Sequence, residues 1–74
     1  MHSVDLKIRV KTSEQATTVM DRALLANLDV DSKPILDRSP WSYELHAYGP
    51  LTEGKSETDI MAFLVDGVAD FMFM

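Results

Sequence analysis

Apolar and polar residues alternate strictly near the start of the chain. Val4, Leu6, Ile8 and Val10 fall on one side, Asp5, Lys7, Arg9 and Lys11 on the other. A period of two is the mark of a half-buried strand. The period then changes. Ala16, Val19, Met20, Ala23, Leu24 and Leu28 recur at helical spacing while Glu14, Gln15, Thr18, Asp21 and Arg22 take the opposite face, which predicts an amphipathic helix ending near Leu28. Thr12 with Gln15 supplies its start, because a hydroxyl at the N-cap accepts an amide hydrogen that the first turn otherwise leaves orphaned. Leu25 lies in the polar arc and reads as a lone exposed leucine.

From Asp29 to Pro40 the pattern lapses. The segment DVDSKPILDRSP carries prolines at 34 and 40 and one short apolar pair, Ile35 and Leu36, so a loop with at most a short strand is expected. Pro34 has no amide hydrogen for a ladder and belongs at a sheet edge or ahead of a strand. Alternation resumes from Trp41 to Tyr48, with Trp41, Tyr43, Leu45 and Ala47 inward and Ser42, Glu44, His46 and Tyr48 outward. Gly49 and Pro50 end that strand.

The stretch SETDIMAFLVDGVADFMFM, Ser56 to Met74, holds the most apolar surface. Ser56 and Asp59 make a capping box, and Glu57 and Asp59 set negative charge where the helix dipole favours it. The spacing of Ile60, Leu64, Val68 and Phe71 predicts a helix to about Met72. The alternative makes Gly67 the stop of a short helix and turns Val68 to Met74 into a strand. In the long helix, at about 100° per residue, Asp59, Asp66 and Asp70 lie within roughly 40° of one another. The apolar arc left over is wider than one sheet contact needs. A homodimer is therefore expected, with Met61, Val65 and Met72 on its two-fold interface.

Strand, helix, short strand, strand, helix assemble as a single α+β domain over residues 1–74. The expected form is a small antiparallel sheet of about three strands with two helices packed on one face, βαββα, or ferredoxin-like βαββαβ if the last segment is a strand. The other sheet face stays wet. If the two long strands are neighbours, Lys7, Arg9, Glu44, His46 and Tyr48 share it, with Glu44 partly neutralising the basic row.

Charge narrows the classes of function. The net charge is −5; residues 1–11 carry +2 and the remaining 63 residues carry four basic and eleven acidic side chains. Such a body repels phosphate backbones and attracts basic surfaces, so a basic protein partner is expected and direct nucleic-acid binding is not. The chain has no cysteine, which fits the cytoplasm, and its longest uncharged apolar run, IMAFLV, is far short of the roughly 20 residues that span a bilayer.

The candidate chemistry is thin. His46 is the only histidine in a predicted element, and no base partner can be named for it; His2 sits apart. Asp29, Asp31 and Lys33 open like a calcium loop, but its glycine and glutamate positions hold Pro34 and Pro40. No catalytic, metal or cofactor site is expected. Lys7, Arg9, His46 and Tyr48 on an open sheet allow an RNA-binding face as one alternative, and a small-ligand regulatory module is another. The leading expectation is a non-enzymatic protein-interaction domain whose acidic residues Asp59, Asp66 and Asp70 meet the partner. In size, acidity and layout the chain resembles the compact inhibitors of phages and mobile elements, which cover basic grooves of nucleic-acid-processing proteins.

Overall fold

The computed structural model of the chain describes residues 3–51 and 53–74, so His2 lies outside the described residues. Six elements run in βαββαβ order: β1 (Ser3–Val10), α1 (Ser13–Leu25), β2 (Asp29–Pro34), β3 (Tyr43–Pro50), α2 (Glu57–Leu64) and β4 (Phe71–Phe73). The strands form one sheet in the order β2-β3-β1-β4, with every neighbouring pair antiparallel. This is the ferredoxin-like arrangement. It has one strand more than the βαββα form.

Local chemistry sets the helix ends. The Thr12 hydroxyl accepts from the Gln15 amide at 3.1 Å, and the Gln15 side chain accepts from the Thr12 amide at 3.3 Å. Ser56 and Asp59 repeat the reciprocal pair at 3.1 and 3.0 Å. Helix α1 closes with Asn27 at φ 63°. The Leu28 and Asn27 amides donate to the Ala23 and Leu24 carbonyls at 2.9 and 3.0 Å, so the last turn wraps on itself and drives Leu28 into the core.

One sheet face carries the core. Val4, Leu6, Ile8, Val10, Leu45 and Ala47 are buried from the strands, against Ala16, Val19 and Ala23 of α1 and Ile60 and Leu64 of α2. Both helices therefore lie on the same side. Leu24, counted with the inward helix face, is exposed, as is Leu25: the helical stripe on a sheet is narrower than the apolar spacing suggested. Trp41 is half-buried but precedes the strand.

Two segments depart from the sequence reading. The second strand is DVDSKP, ahead of Ile35 and Leu36, and Leu36 is 91% exposed. As an edge strand β2 needs little apolar content, and Pro34 is tolerated because its nitrogen falls on the outer side of the edge, the next amide, Ile35, donating back to the Ser42 carbonyl at 2.8 Å. The long helix is also overturned. α2 stops at Leu64 with Val65 as its C-cap, and Gly67 takes φ 79°, a left-handed conformation that favours glycine. The apolar arc that seemed too wide for one helix is divided: Ile60, Leu64 and Val68 are buried, while Phe71 to Phe73 pair with β1 opposite Val10, Arg9 and Ile8. No helix among the described residues is long and apolar enough to cross a membrane.

Candidate functional site

The open face of the sheet is built by register. Strand β1 pairs with β3 so that Asp5, Lys7 and Arg9 stand opposite Tyr48, His46 and Glu44, and β2 continues each row with Asp29, Asp31 and Lys33. The five residues expected to share this face do so. At one end Glu44 receives Arg9 Nε at 3.3 Å and Lys33 Nζ at 3.2 Å. The hydrogen bond from Lys33 is the largest influence on its carboxyl, which lies below its ordinary range despite partial burial. Lys33 joins that neutralisation because β2 runs over Asp29–Pro34, ahead of the apolar pair Ile35 and Leu36 on which the short strand was expected.

At the other end the charge reverses. Tyr48 stacks its ring 4.8 Å from the His46 ring, and its hydroxyl donates to Asp31 at 3.3 Å. Asp31 and Asp29, with burial between them in size of effect, raise the Tyr48 pKa. The His46 imidazole meets the Asp5 carboxylate. Tyr48, stacked on His46 in the outward row of β3, is therefore ringed by Asp5, Asp29 and Asp31. A base-stacking platform works beside phosphates, and these carboxylates would repel them. Among the described residues no group of three or more His, Cys, Asp or Glu side chains is placed to hold a metal ion. The depression over Lys7, Asp31, Lys33, Glu44 and His46, about 300 Å³, is open and charged, unlike the enclosed, mostly apolar sites of small ligands.

The acidic trio is not a stripe. Asp59 serves the start of α2, Asp66 follows its end, and Asp70 sits before β4, 3.8 Å from Lys11. Ser56 holds the Asp59 carboxyl below its ordinary range, chiefly through its backbone amide. Nor do Met61, Val65 and Met72 share one helical side, because Met72 lies in β4 opposite Arg9 and so faces with the open sheet. Met61 and Val65 stay together above Phe71 and Phe73.

A third surface spans the helices. Leu25 and Ala26 of the α1 end and Lys55, Asp59, Ile60 and Phe63 of the α2 region line a groove of about 290 Å³. Beside it, Arg22 donates through Nη1 to the Phe63 carbonyl at 3.0 Å and to the Asp66 carbonyl, with its guanidinium carbon 5.7 Å from the Phe63 ring centre. One α1 cation thereby closes the end of α2, a helix with no basic residue in its own last turn. The sequence reading placed Arg22 only on a polar face; nothing in local spacing points at a helix 41 residues on.

Compared with protein-family models, curated proteins and solved structures, the chain matches none.

Proposed function

We infer that this chain is a non-enzymatic protein-interaction domain of the cytoplasm, whose acidic helical side docks on and covers a basic surface of a nucleic-acid-processing protein. The observation that supports this reading is how the fold partitions charge. The four strands carry Asp5, Asp29, Asp31 and Glu44 against Lys7, Arg9 and Lys33, whereas the helices and connections carry eight acidic and four basic residues. Most of the net −5 therefore lies off the sheet. Of those four cations, Arg22 is bonded at the end of α2 and Lys11 lies against Asp70.

Amid this acidic side stand Leu25, 78% exposed, and Phe63, 40% exposed. Charge of one sign steers a partner of the other, and a small apolar centre then slows its departure. The two features fit a basic surface with an apolar projection at its middle.

The test is affinity capture followed by kinetics on the captured partner. Reversing Asp21, Glu57 and Asp66 to lysine should slow association by about tenfold or more at low salt, while Leu25→Ser should mainly speed dissociation. Reversing Asp29 and Asp31 on the sheet should change neither much. A partner with an acidic contact surface, or association indifferent to the helical reversals and to salt, would refute the reading.

A further inference from the structure

We propose that β4 is the joint of a two-fold dimer, in which two copies pair their β4 strands antiparallel with Met72 on the axis and join their sheets into one.

Backbone direction decides which groups are free. The Met74 amide donates to the Lys7 carbonyl at 2.9 Å, and residues along a strand point alternately to its two neighbours. Met72, paired with Arg9, therefore points its backbone at β1, as Met74 does. Phe71 and Phe73 point theirs the other way. Strand β4 ends the order β2-β3-β1-β4, so these N–H and C=O groups face outward from the sheet. A two-fold axis through Met72 sets Phe71 opposite Phe73 of the second copy, and Phe73 opposite its Phe71. Both are hydrogen-bonded pairs of an antiparallel ladder, so all four outward groups on each copy find partners. Centring the axis on either phenylalanine would leave the other without this match.

The side chains agree with the same register. Phe71 and Phe73 lie on the helix side with centroids 5.7 Å apart, edge to face. With Met61, Ala62 and Val65 they line a groove of about 530 Å³ that Asp66 also borders. A two-fold axis perpendicular to the sheet keeps the helices of both copies on one face, so the two grooves merge over the new ladder. Phe71, Met72 and Met74 are 39%, 38% and 61% exposed. Taking roughly 200 Å² for a side chain of this size, these three alone offer about 300 Å² per copy. Partly exposed Phe73, Met61 and Val65 bring both copies together near the roughly 1,000 Å² that a specific interface needs.

The opposite edge argues for a closed pair over a filament. Strand β2 presents Asp29, Asp31 and Lys33 and ends in Pro34, the charges and proline that keep an edge from pairing. One edge is guarded and the other is apolar and open, so association stops at two.

The chain has no cysteine, and single-cysteine variants can therefore read the register. In the proposed dimer Met72 faces its own copy across a non-hydrogen-bonded pair, with Cβ atoms about 4.5–5.5 Å apart, close to disulfide geometry. Two copies of Phe71 sit on a diagonal of about 7–8 Å. Under mild oxidation Met72→Cys should form covalent dimer at least about tenfold faster than Phe71→Cys or Ser32→Cys, the last on the β2 edge. Light scattering on the unaltered chain should show mass rising from 8.3 kDa toward twice that value with concentration, and Val65→Asp should abolish the rise while its circular dichroism stays native. A mass of 8.3 kDa up to about millimolar concentration would overturn the proposal. So would a Phe71→Cys or Ser32→Cys variant that cross-links as fast as Met72→Cys, or a chain that gains mass only when a foreign strand peptide is added.

Discussion

Removing the Arg22 guanidinium should loosen α2 and lower the stability of the whole domain, although Arg22 belongs to α1. Helix α2 has eight residues, about two turns, too short to persist without tertiary support. At its end the Phe63 carbonyl has a long turn bond from the Asp66 amide, at 3.4 Å; Arg22 adds a charged donor to that carbonyl and another to the Asp66 carbonyl. In Arg22→Met the apolar stem remains and three contributions go. A cation at a helix C-terminus contributes about 0.3–1 kcal/mol, and a guanidinium over an exposed ring about 0.5–1 kcal/mol. Hydrogen bonds from a charged donor add about 1 kcal/mol net when water competes for the carbonyls, as at this exposed site. The total is about 2 kcal/mol, a large share of the roughly 5 kcal/mol at which small domains begin. At about 4–8 °C per kcal/mol for a domain of this length, the melting temperature should fall by about 8–16 °C. Thermal circular dichroism measures it, and amide exchange should show Phe63 to Val68 opening more readily in the variant. Arg22→Lys should recover part of the loss through charge alone. If Arg22→Met melts within about 2 °C of the unaltered chain, the bridge between helices is too wet to matter and the argument fails.

Two further outcomes follow from burial and charge. Leu64 has no exposed surface and Phe63 is 40% exposed, so Leu64→Asp should abolish the folded circular dichroism spectrum, at a cost of several kcal/mol, whereas Phe63→Asp should fold with a loss of about 1–2 kcal/mol; equal melting curves for the two would refute the assignment of faces on α2. The carboxyls of Glu44 and Asp59 are held below their ordinary pKa in the fold, so the stability they contribute is present above about pH 4.5 and is lost as pH falls through the lowered values; urea melts should weaken progressively below about pH 4.5, and Glu44→Gln should flatten that decline.

Periodicity in the chain determined a good part of the fold. The alternation of Val4, Leu6, Ile8 and Val10 places all four in the core, and the capping boxes at Thr12 and Ser56 begin both helices where local hydrogen bonding demands. These features were legible because each is decided within a few residues: a side chain faces in or out by its parity, and a cap forms with the amide three residues on. The pairing of the two long strands was also within reach, which brought Lys7, Arg9, Glu44, His46 and Tyr48 onto one face. What remained open is what depends on residues distant in the chain. The segment from Val68 to Met74 admits both a helix, which its spacing favoured, and a strand, and the strand prevails because the free side of β1 at Ile8 to Val10 offers ladder hydrogen bonds that a continued helix would forgo. Strand β2 carries no alternating apolar signal, because at an edge the inward row of Val30, Ser32 and Pro34 packs only Val30 on the core and the neighbour β3 supplies the order. The same logic scattered the acidic trio: Asp59, Asp66 and Asp70 lie close together only on a helix that runs through Gly67. Arg22 acquired its role at the end of α2 because the packing of two helices on one sheet face sets a guanidinium beside carbonyls 41 and 44 residues away. Sequence spacing carries no trace of such a contact, since neither partner is constrained until the core beneath them has formed.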